Sequence, residues 1–197
     1  NYSANIYYIP FLSQSNSIEL SVENGSLSPI SNLTIEPEEL PKWIHLSPNK
    51  HIISGLRNGE EKSVQFNFSV DKQAPVKEEK ILSFNIVTAD GNRWRKEIKI
   101  SVEQPKEFEL YQNFPNPFNP TTTIGFQIPQ DGKVKLNIFN LLGQEITTLI
   151  EDDLPAGYHE KIWNAEDNAS GVYIYQVSIT NQSGYHAVDR RKVILIK

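Results

Sequence analysis

Apolar side chains that alternate with polar ones are the dominant pattern of this chain. In a β-strand successive side chains point to opposite faces, so a two-residue period indicates strands with one buried and one solvated face. The first half carries this period in residues 18–22, 64–70, 82–86 and 98–102. Asn-Gly and Asp-Gly pairs, which suit tight turns, separate these runs at Asn24-Gly25, Asn58-Gly59 and Asp90-Gly91. No segment has a convincing 3.6-residue period, so the first half predicts a β-sandwich of seven or eight strands.

The pattern pauses at residues 103–107, which are polar, contain Pro105 and show no alternation. Such a stretch is typical of a linker between domains. Alternation then resumes in residues 124–128, 134–138, 146–150, 172–179 and 188–196, again with glycine-bearing turns between the runs. The second half therefore predicts another sandwich of about seven strands. We expect two domains, residues 1–104 and 105–197, in an all-β chain.

Composition excludes several classes of function. The net charge is −5 and the 19 basic residues are scattered among 24 acidic ones, so nucleic acid is a poor partner. No run of about 18 apolar residues occurs, which predicts no transmembrane segment. The absence of cysteine excludes disulfides and thiolate chemistry. Because the chain lacks methionine and begins at Asn1, we expect a fragment or processed product. We also expect a monomer.

No set of residues predicts catalysis. The carboxylate pairs Glu38-Glu39, Glu60-Glu61, Glu78-Glu79 and Asp152-Asp153 are neighbours in sequence, whereas glycoside hydrolysis needs two carboxylates facing each other. We expect them to be solvated. There is no nucleophile elbow, phosphate-binding loop or dinucleotide-binding turn. The prediction is therefore no enzyme, no catalytic residue and no cofactor.

Two metal sites stay open as minor alternatives. His45 and His51 would have to approach each other across two strands, although neither belongs to a ligand pattern. Calcium would require Asp152, Asp153 and Asp167 to meet, without the spacing of a calcium-binding loop. We expect neither site, and no metal.

The three tryptophans have different expected roles. Trp43 and Trp163 are expected to pack in the two cores. Trp94 lies between Arg93 and Arg95 just after a turn, which favours an exposed ring and makes it the candidate for stacking on a sugar. A pair of carbohydrate-binding accessory modules from a secreted glycosidase or peptidase is therefore the alternative function.

A proline-rich segment opens the second half. It consists of Phe114, Pro115, Asn116, Pro117, Phe118, Asn119 and Pro120, followed by three threonines. Proline fixes φ and removes a backbone donor, so this stretch is excluded from a central strand. We predict an extended, polyproline-like edge with Phe114 and Phe118 inserted as anchors.

Further motifs follow in a fixed order up to Lys197. Their members are Gly143, Gly157, Gly171, Tyr173, Tyr175, Lys192, Val193, Leu195 and Lys197. Together with the proline-rich segment, this set resembles the C-terminal sorting domain (type A) of the type IX secretion pathway of Bacteroidetes. The resemblance covers residues 108–197. It implies an immunoglobulin-like fold similar to that of flagellar hook-capping proteins.

The resemblance also implies a function and partners. Such a domain carries a cargo domain, here one preceding Asn1, across the outer membrane through a type IX translocon. A sortase-like peptidase then removes it, and the protein is secreted or held at the cell surface. The recognised residues are expected in 171–177 and 192–197, and cleavage around residues 103–114.

The first half resembles NEW3-type immunoglobulin-like modules. The motifs are residues 18–25, 40–43, 54–60 and 63–70. These modules follow the catalytic domains of secreted glycosidases and peptidases and have no activity of their own. The resemblance implies a structural spacer, in which residues 1–11 provide the first strand.

Overall fold

A computed structural model describes residues 6–197 of the chain, and every regular element in that range is a β-strand. The contacts within the chain divide it between Glu103 and Gln104, one residue before the expected boundary. The predicted fold class, all-β with immunoglobulin-like sandwiches, is confirmed. Residues 1–5 of the predicted first strand lie outside the described residues.

Eight strands form the described part of the first unit. They are β1 (Ile6–Ile9), β2 (Asn16–Glu23), β3 (Ile30–Pro37), β4 (Ile44–Ser47), β5 (His51–Leu56), β6 (Glu61–Val70), β7 (Glu79–Val87) and β8 (Arg93–Val102). One sheet has the order β1-β8-β7-β3-β5 and the other β2-β6-β4. All pairs are antiparallel except β1 with β8.

The core of the first unit lies between its two sheets. Phe66 of β6 and Phe84 of β7 are fully buried, and their ring centroids are 5.1 Å apart. Because these strands belong to different sheets, the contact closes a sandwich face to face. Burial of each phenylalanine contributes roughly 1.5–3 kcal/mol. Trp43 packs half-buried against this core.

Seven strands form the second unit. They are β9 (Glu109–Leu110), β10 (Thr121–Ile128), β11 (Gly132–Asn140), β12 (Glu145–Leu154), β13 (Gly157–Asn164), β14 (Gly171–Thr180) and β15 (His186–Leu195). The orders are β13-β10-β9 and β12-β11-β14-β15, with antiparallel pairing throughout. Strand β15 is therefore an edge strand of the larger sheet.

Trp163 lies in the core of the second unit, as the sequence predicted. Its ring is 5.2 Å from that of Phe118 and meets Tyr173 edge-on at 5.4 Å. These three rings come from β13, the proline-rich segment and β14. The aromatic cluster therefore joins both sheets to a segment that belongs to neither.

Candidate functional site

The proline-rich segment crosses from one sheet of the second unit to the other. At its start Phe114 and Thr123 of β10 exchange two backbone hydrogen bonds, of 3.0 and 2.9 Å. At its end the N–H of Phe118 donates to the oxygen of Ile194 at 2.9 Å, and the N–H of Ile196 donates to the oxygen of Phe118 at 3.0 Å. The segment thus connects the small sheet to the edge strand of the large one.

This arrangement corrects two predictions. The segment is bent rather than extended, because its two ends pair with different sheets; the peptide bonds before Pro115 and Pro117 are cis. Only Phe118 is an anchor, since it is 2% exposed and packs in the core. Phe114 is 81% exposed, so its prediction as a second anchor is wrong.

Amide side chains bond the backbone around the prolines. The Oδ1 of Asn116 accepts from the N–H of Ile194 at 3.0 Å. The buried Nδ2 of Asn113 donates to the oxygen of Pro115 at 2.9 Å and to the Oγ1 of Thr122 at 2.8 Å. Proline provides no N–H, so these amides provide the donors and acceptors that hold the bend.

Residues 110–118 cover part of the free edge of β15. Besides the bonds to Ile194, the oxygen of Lys192 accepts from the Nε2 of Gln112 at 3.0 Å. The Nε of Arg191 donates to the oxygen of Leu110 at 2.6 Å. An uncovered edge strand is a template for pairing with other chains. This cover provides hydrogen-bond partners for backbone groups in the half of β15 that ends at Leu195.

Tyr175 connects the same segment to β14. Its hydroxyl donates to the oxygen of Tyr111 at 2.8 Å and accepts from the N–H of Asn113 at 3.0 Å. Burial raises the pKa of Tyr175. Burial, together with the nearby carboxylate of Glu109, also raises the pKa of Tyr111, whose hydroxyl donates to the Oε1 of Gln127 at 2.6 Å.

The register brings most of the predicted motif residues to one end of the large sheet. Asn140 at the end of β11 pairs with Tyr173, which pairs with Val193 of β15. Gly143 is in the turn that follows Asn140, and Gly171 pairs with Leu195. We call this region, formed by residues 112–120, 140–145, 171–173 and 192–197, the closing end.

Gly157 is the exception. It pairs with Ile128 at the other end of β10, whereas Thr121, next to the proline-rich segment, pairs with Asn164. Gly157 therefore lies away from the closing end.

Gly143 has a φ of 78°, which favours glycine in its turn.

Burial separates the motif residues other than Gly157 into two groups. Those whose side chains face the core are Tyr173, Tyr175, Val193, Leu195 and Phe118. Those exposed to solvent include Phe114, Asn119, Lys192 and Lys197, joined by Leu142, Ile194 and Ile196. The backbone N–H of Lys197 donates to the Oγ of Ser170 at 3.0 Å, and its Nζ donates to the oxygen of Glu166.

The proposed metal ligands do not converge. Asp153 is opposite Lys133 at the end of β11 where that strand begins, while Asp167 follows β13 beyond Asn164, at the opposite end. His45 and His51 belong to different sheets of the first unit, and their ring nitrogens face Asp71 and the oxygen of Gln65. Within residues 6–197, no group of three or more His, Asp or Glu residues is arranged to hold a metal ion.

The remaining candidates are surface groups. The acidic pairs are exposed or half-exposed, and several are next to lysine or arginine, as at Glu38 with Arg95, 3.0 Å apart. Trp94 is 50% exposed in the first unit. Across the described range, no helix is long and apolar enough to cross a membrane.

Comparison with known families decides the nature of the second unit. Residues 112–194 match the family described as "Secretion system C-terminal sorting domain". This segment is a type IX C-terminal sorting domain. The match begins at Gln112 and ends at Ile194, so it includes most of the closing end. The sorting domain is a signal and not a catalyst, and it marks a protein that is secreted or held at the cell surface in Bacteroidetes.

Solved structures give only distant likenesses. The CupB2 chaperone of Pseudomonas aeruginosa is 14% identical with a TM-score of 0.32, over 96% of this chain and 98% of that one. Dimeric latent PorU from Porphyromonas gingivalis is 10% identical with a TM-score of 0.38, over 100% of this chain and 19% of that one. These values are too low to assign a function, and no curated protein matches the chain.

Sequence reasoning missed Asn113, Tyr111 and Gln112, which hold the bend and the edge of β15. Their place in the sequence could have indicated this role, because these three consecutive polar or amphipathic residues directly precede a segment that is poor in backbone donors. Their partners, Tyr175 and Lys192, are 62 to 80 residues further along the chain, and no local pattern indicates them.

Proposed function

We propose that residues 105–197 are read by a type IX outer-membrane translocon through the closing end of the sorting domain. The supporting observation is that the bent proline-rich segment and the edge of β15 form one hydrogen-bonded surface. A translocon that contacts this surface would distinguish the folded signal from its unfolded chain, since neither part has this geometry alone.

The exposed side chains of the closing end are the ones a partner would contact. Phe114, Leu142, Ile194 and Ile196 expose apolar surface, and Lys192 adds a charge nearby. Clustered apolar groups with a polar rim are typical of protein–protein binding sites. The buried motif residues instead support the surface from below. This narrows the recognised part of residues 171–177 to the side chains that face outward, such as Val172 and Ile174.

A sortase-like peptidase is the second proposed partner. Lys106 and Glu107 are consecutive exposed residues that belong to no strand, so the peptide bond between them is the proposed cleavage position within residues 103–114. From Glu109 onward the backbone is paired within the sorting domain. Cleavage there would release a cargo that precedes the sorting domain while leaving that domain intact.

The first unit is proposed to be a NEW3-like spacer without catalytic activity between the cargo and the sorting domain. The alternative, a pair of carbohydrate-binding modules, gains no support from the second unit, whose tryptophan is in the core. Only Trp94 of the first unit remains as a candidate for sugar stacking.

A fusion experiment tests the sorting function. Residues 105–197 are joined to a neutral, folded cargo and expressed in a type IX-competent bacterium, and cargo is measured in the periplasm, at the surface and in the medium. We expect surface or extracellular cargo. Retention of the wild-type fusion in the periplasm would contradict the proposal.

Matched variants locate the recognised surface. Ile194 in the closing end and Ile162 on β13 are both exposed isoleucines in strands, at 40% and 64%. Ile194→Ser is expected to reduce export several-fold, while Ile162→Ser leaves export unchanged. Both fusions must first show a wild-type melting curve. Equal export of the two variants would remove the closing end from the proposal.

A further inference from the structure

The first unit contains a cavity of about 700 Å³ at one end of its sandwich. The end of β2, the loop that follows it and the turn between β7 and β8 form its mouth. Its floor is apolar and consists of Ile30, Leu33, Leu56 and Ile86. A concave site with an apolar floor and a few polar groups at the mouth is typical of small-ligand binding.

Trp94 lines this cavity from β8. Trp94 is an even number of residues from Ile98 and Ile100, which are buried in the core, so its side chain is on the same face of β8 as theirs. It pairs with Ile86 of β7. The indole is thus on the face of β8 that elsewhere packs against the opposite sheet, yet it is 50% exposed. An aromatic ring on the core face that lacks a complete cover is available to a ligand.

The polar groups at the mouth are held in place by one another. The side chain of Asp90 accepts from the hydroxyl of Thr88 and, at 2.9 Å, from the Nδ2 of Asn92. The N–H of Asn92 in turn donates to the Oγ1 of Thr88 at 3.1 Å. Groups that are already ordered lose little conformational entropy when they bind a ligand.

We propose that this cavity binds one sugar ring of a neutral polysaccharide, stacked on the indole of Trp94. A pyranose ring has a face of C–H groups and an edge of hydroxyls. The electron-rich face of an indole attracts the C–H groups. The exposed Asp90 and Asn92 are placed at the mouth to bond the hydroxyls, and the buried Thr88 holds both in position.

The lining also indicates which saccharides are excluded. Its charged members are Glu23 and Asp90, and among the described lining residues there is no Lys, Arg or His. Two carboxylates disfavour an anionic chain by like-charge repulsion. A purely apolar ligand would bury the polar mouth without replacing its hydrogen bonds to water. A neutral polyol with one apolar face meets both conditions.

Affinity electrophoresis of the full chain tests the site. Native gels contain soluble β-glucan, xylan or glucomannan, with alginate as the anionic comparison, and retardation gives the dissociation constant. We expect at least one of the three neutral polysaccharides to retard the chain, and alginate not to. No retardation by the three neutral polymers, or retardation by alginate alone, would overturn the proposal.

Variants connect the binding to Trp94. Trp94→Ala should weaken binding by about tenfold or more, because a central aromatic anchor carries much of the binding energy. Tyr8→Ala is the matched control, since Tyr8 is an exposed aromatic residue of the same unit outside the cavity. Wild-type binding by Trp94→Ala would overturn the proposal.

If the melting temperature of Trp94→Ala is well below that of the wild type, two milder substitutions test the binding site instead. Trp94→Phe keeps an aromatic face and should retain part of the affinity, and Asn92→Ala removes a hydroxyl partner and should weaken binding several-fold. Unchanged affinity in both would overturn the proposal. None of these outcomes bears on export, which depends on the second unit.

Discussion

The hydroxyl of Tyr175 donates a hydrogen bond of 2.8 Å to the backbone oxygen of Tyr111, 64 residues earlier in the chain. The same hydroxyl accepts from the N–H of Asn113. One phenol therefore satisfies two backbone groups of the stretch that leads into the proline-rich segment. This stretch forms neither a helix nor a long strand, so side chains provide what a regular element would provide through its backbone.

Removing this hydroxyl is expected to destabilise the sorting domain. Tyr175→Phe leaves a buried donor and acceptor unpaired, which costs about 1–3 kcal/mol of unfolding free energy. Urea denaturation of residues 105–197 measures it. Tyr173→Phe is the control, because its hydroxyl makes a single bond of 2.7 Å, to Ala169. A loss no larger than that of the control would contradict the role given to Tyr175.

The raised pKa values of Tyr175 and Tyr111 predict loss of stability at alkaline pH. A phenol whose pKa is higher in the folded state than in the unfolded one stabilises the fold fully below the unfolded value. That contribution is lost as pH rises above about 10, the ordinary tyrosine pKa. We expect the urea midpoint to fall from about pH 10 upward, and to fall less steeply in the Tyr111→Phe/Tyr175→Phe double variant. Equal slopes would contradict this prediction.

The two phenylalanines of the proline-rich segment should differ sharply in their effect on stability. Phe118→Ala removes a buried ring beside Trp163 and is expected to cost about 3–5 kcal/mol. Phe114→Ala changes an exposed side chain and should cost less than about 0.5 kcal/mol. Thermal and urea unfolding compare them. Similar losses for the two variants would restore the two-anchor interpretation that the structure corrects.

Substitution of two glycines that begin strands distinguishes a glycine needed for packing from one that a partner could recognise. A Cβ on Gly132 would lie 2.6 Å from the backbone oxygen of Thr180, so Gly132→Ala should cost about 1–3 kcal/mol. A Cβ on Gly171 would meet nothing within 4 Å, so Gly171→Ala should fold like the wild type. Denaturation midpoints measure both. Equal midpoints would contradict the prediction for Gly132, and a folded Gly171→Ala that fails in export would indicate recognition.

The structure also changes how truncation can be used. Deletion of residues 192–197 would test a terminal signal, but Val193 and Leu195 are in the core of the sorting domain. The deletion removes packing as well as surface. Point changes on the exposed side of β15, such as Ile194→Ser, keep the two effects apart.

Period-two alternation located nine of the fifteen described strands and indicated the two sandwiches, because it reports directly which face of a strand is buried; β1, β3, β4, β5, β9 and β13 carry no such run and were not located by it. Phe66 and Phe68 of β6 illustrate this, since they are buried and alternate with the exposed Gln65 and Asn67. The prolines correctly excluded a central strand. These conclusions depend on neighbours in sequence, which is the range over which such patterns are informative.

The closing end was not predictable in the same way. Phe114 and Phe118 are the same residue type and each is next to one proline and one asparagine, yet one faces solvent and the other the core. The difference arises from pairing partners in β10 and β15 that no local rule selects. Similarly, the exposed ring of Trp94 followed from its flanking arginines, but the cavity below it depends on how β2 and its loop cover the opposite sheet.

The bonds from residues 110–118 to β15 join positions 76 to 81 apart in the chain. Closing so large a loop carries an entropic cost that must be met before the contacts form, and folds dominated by such contacts form slowly. We therefore expect the closing end to be the last part of the sorting domain to become ordered. Its formation would set the interval during which the newly made domain still has an open strand edge available to chaperones.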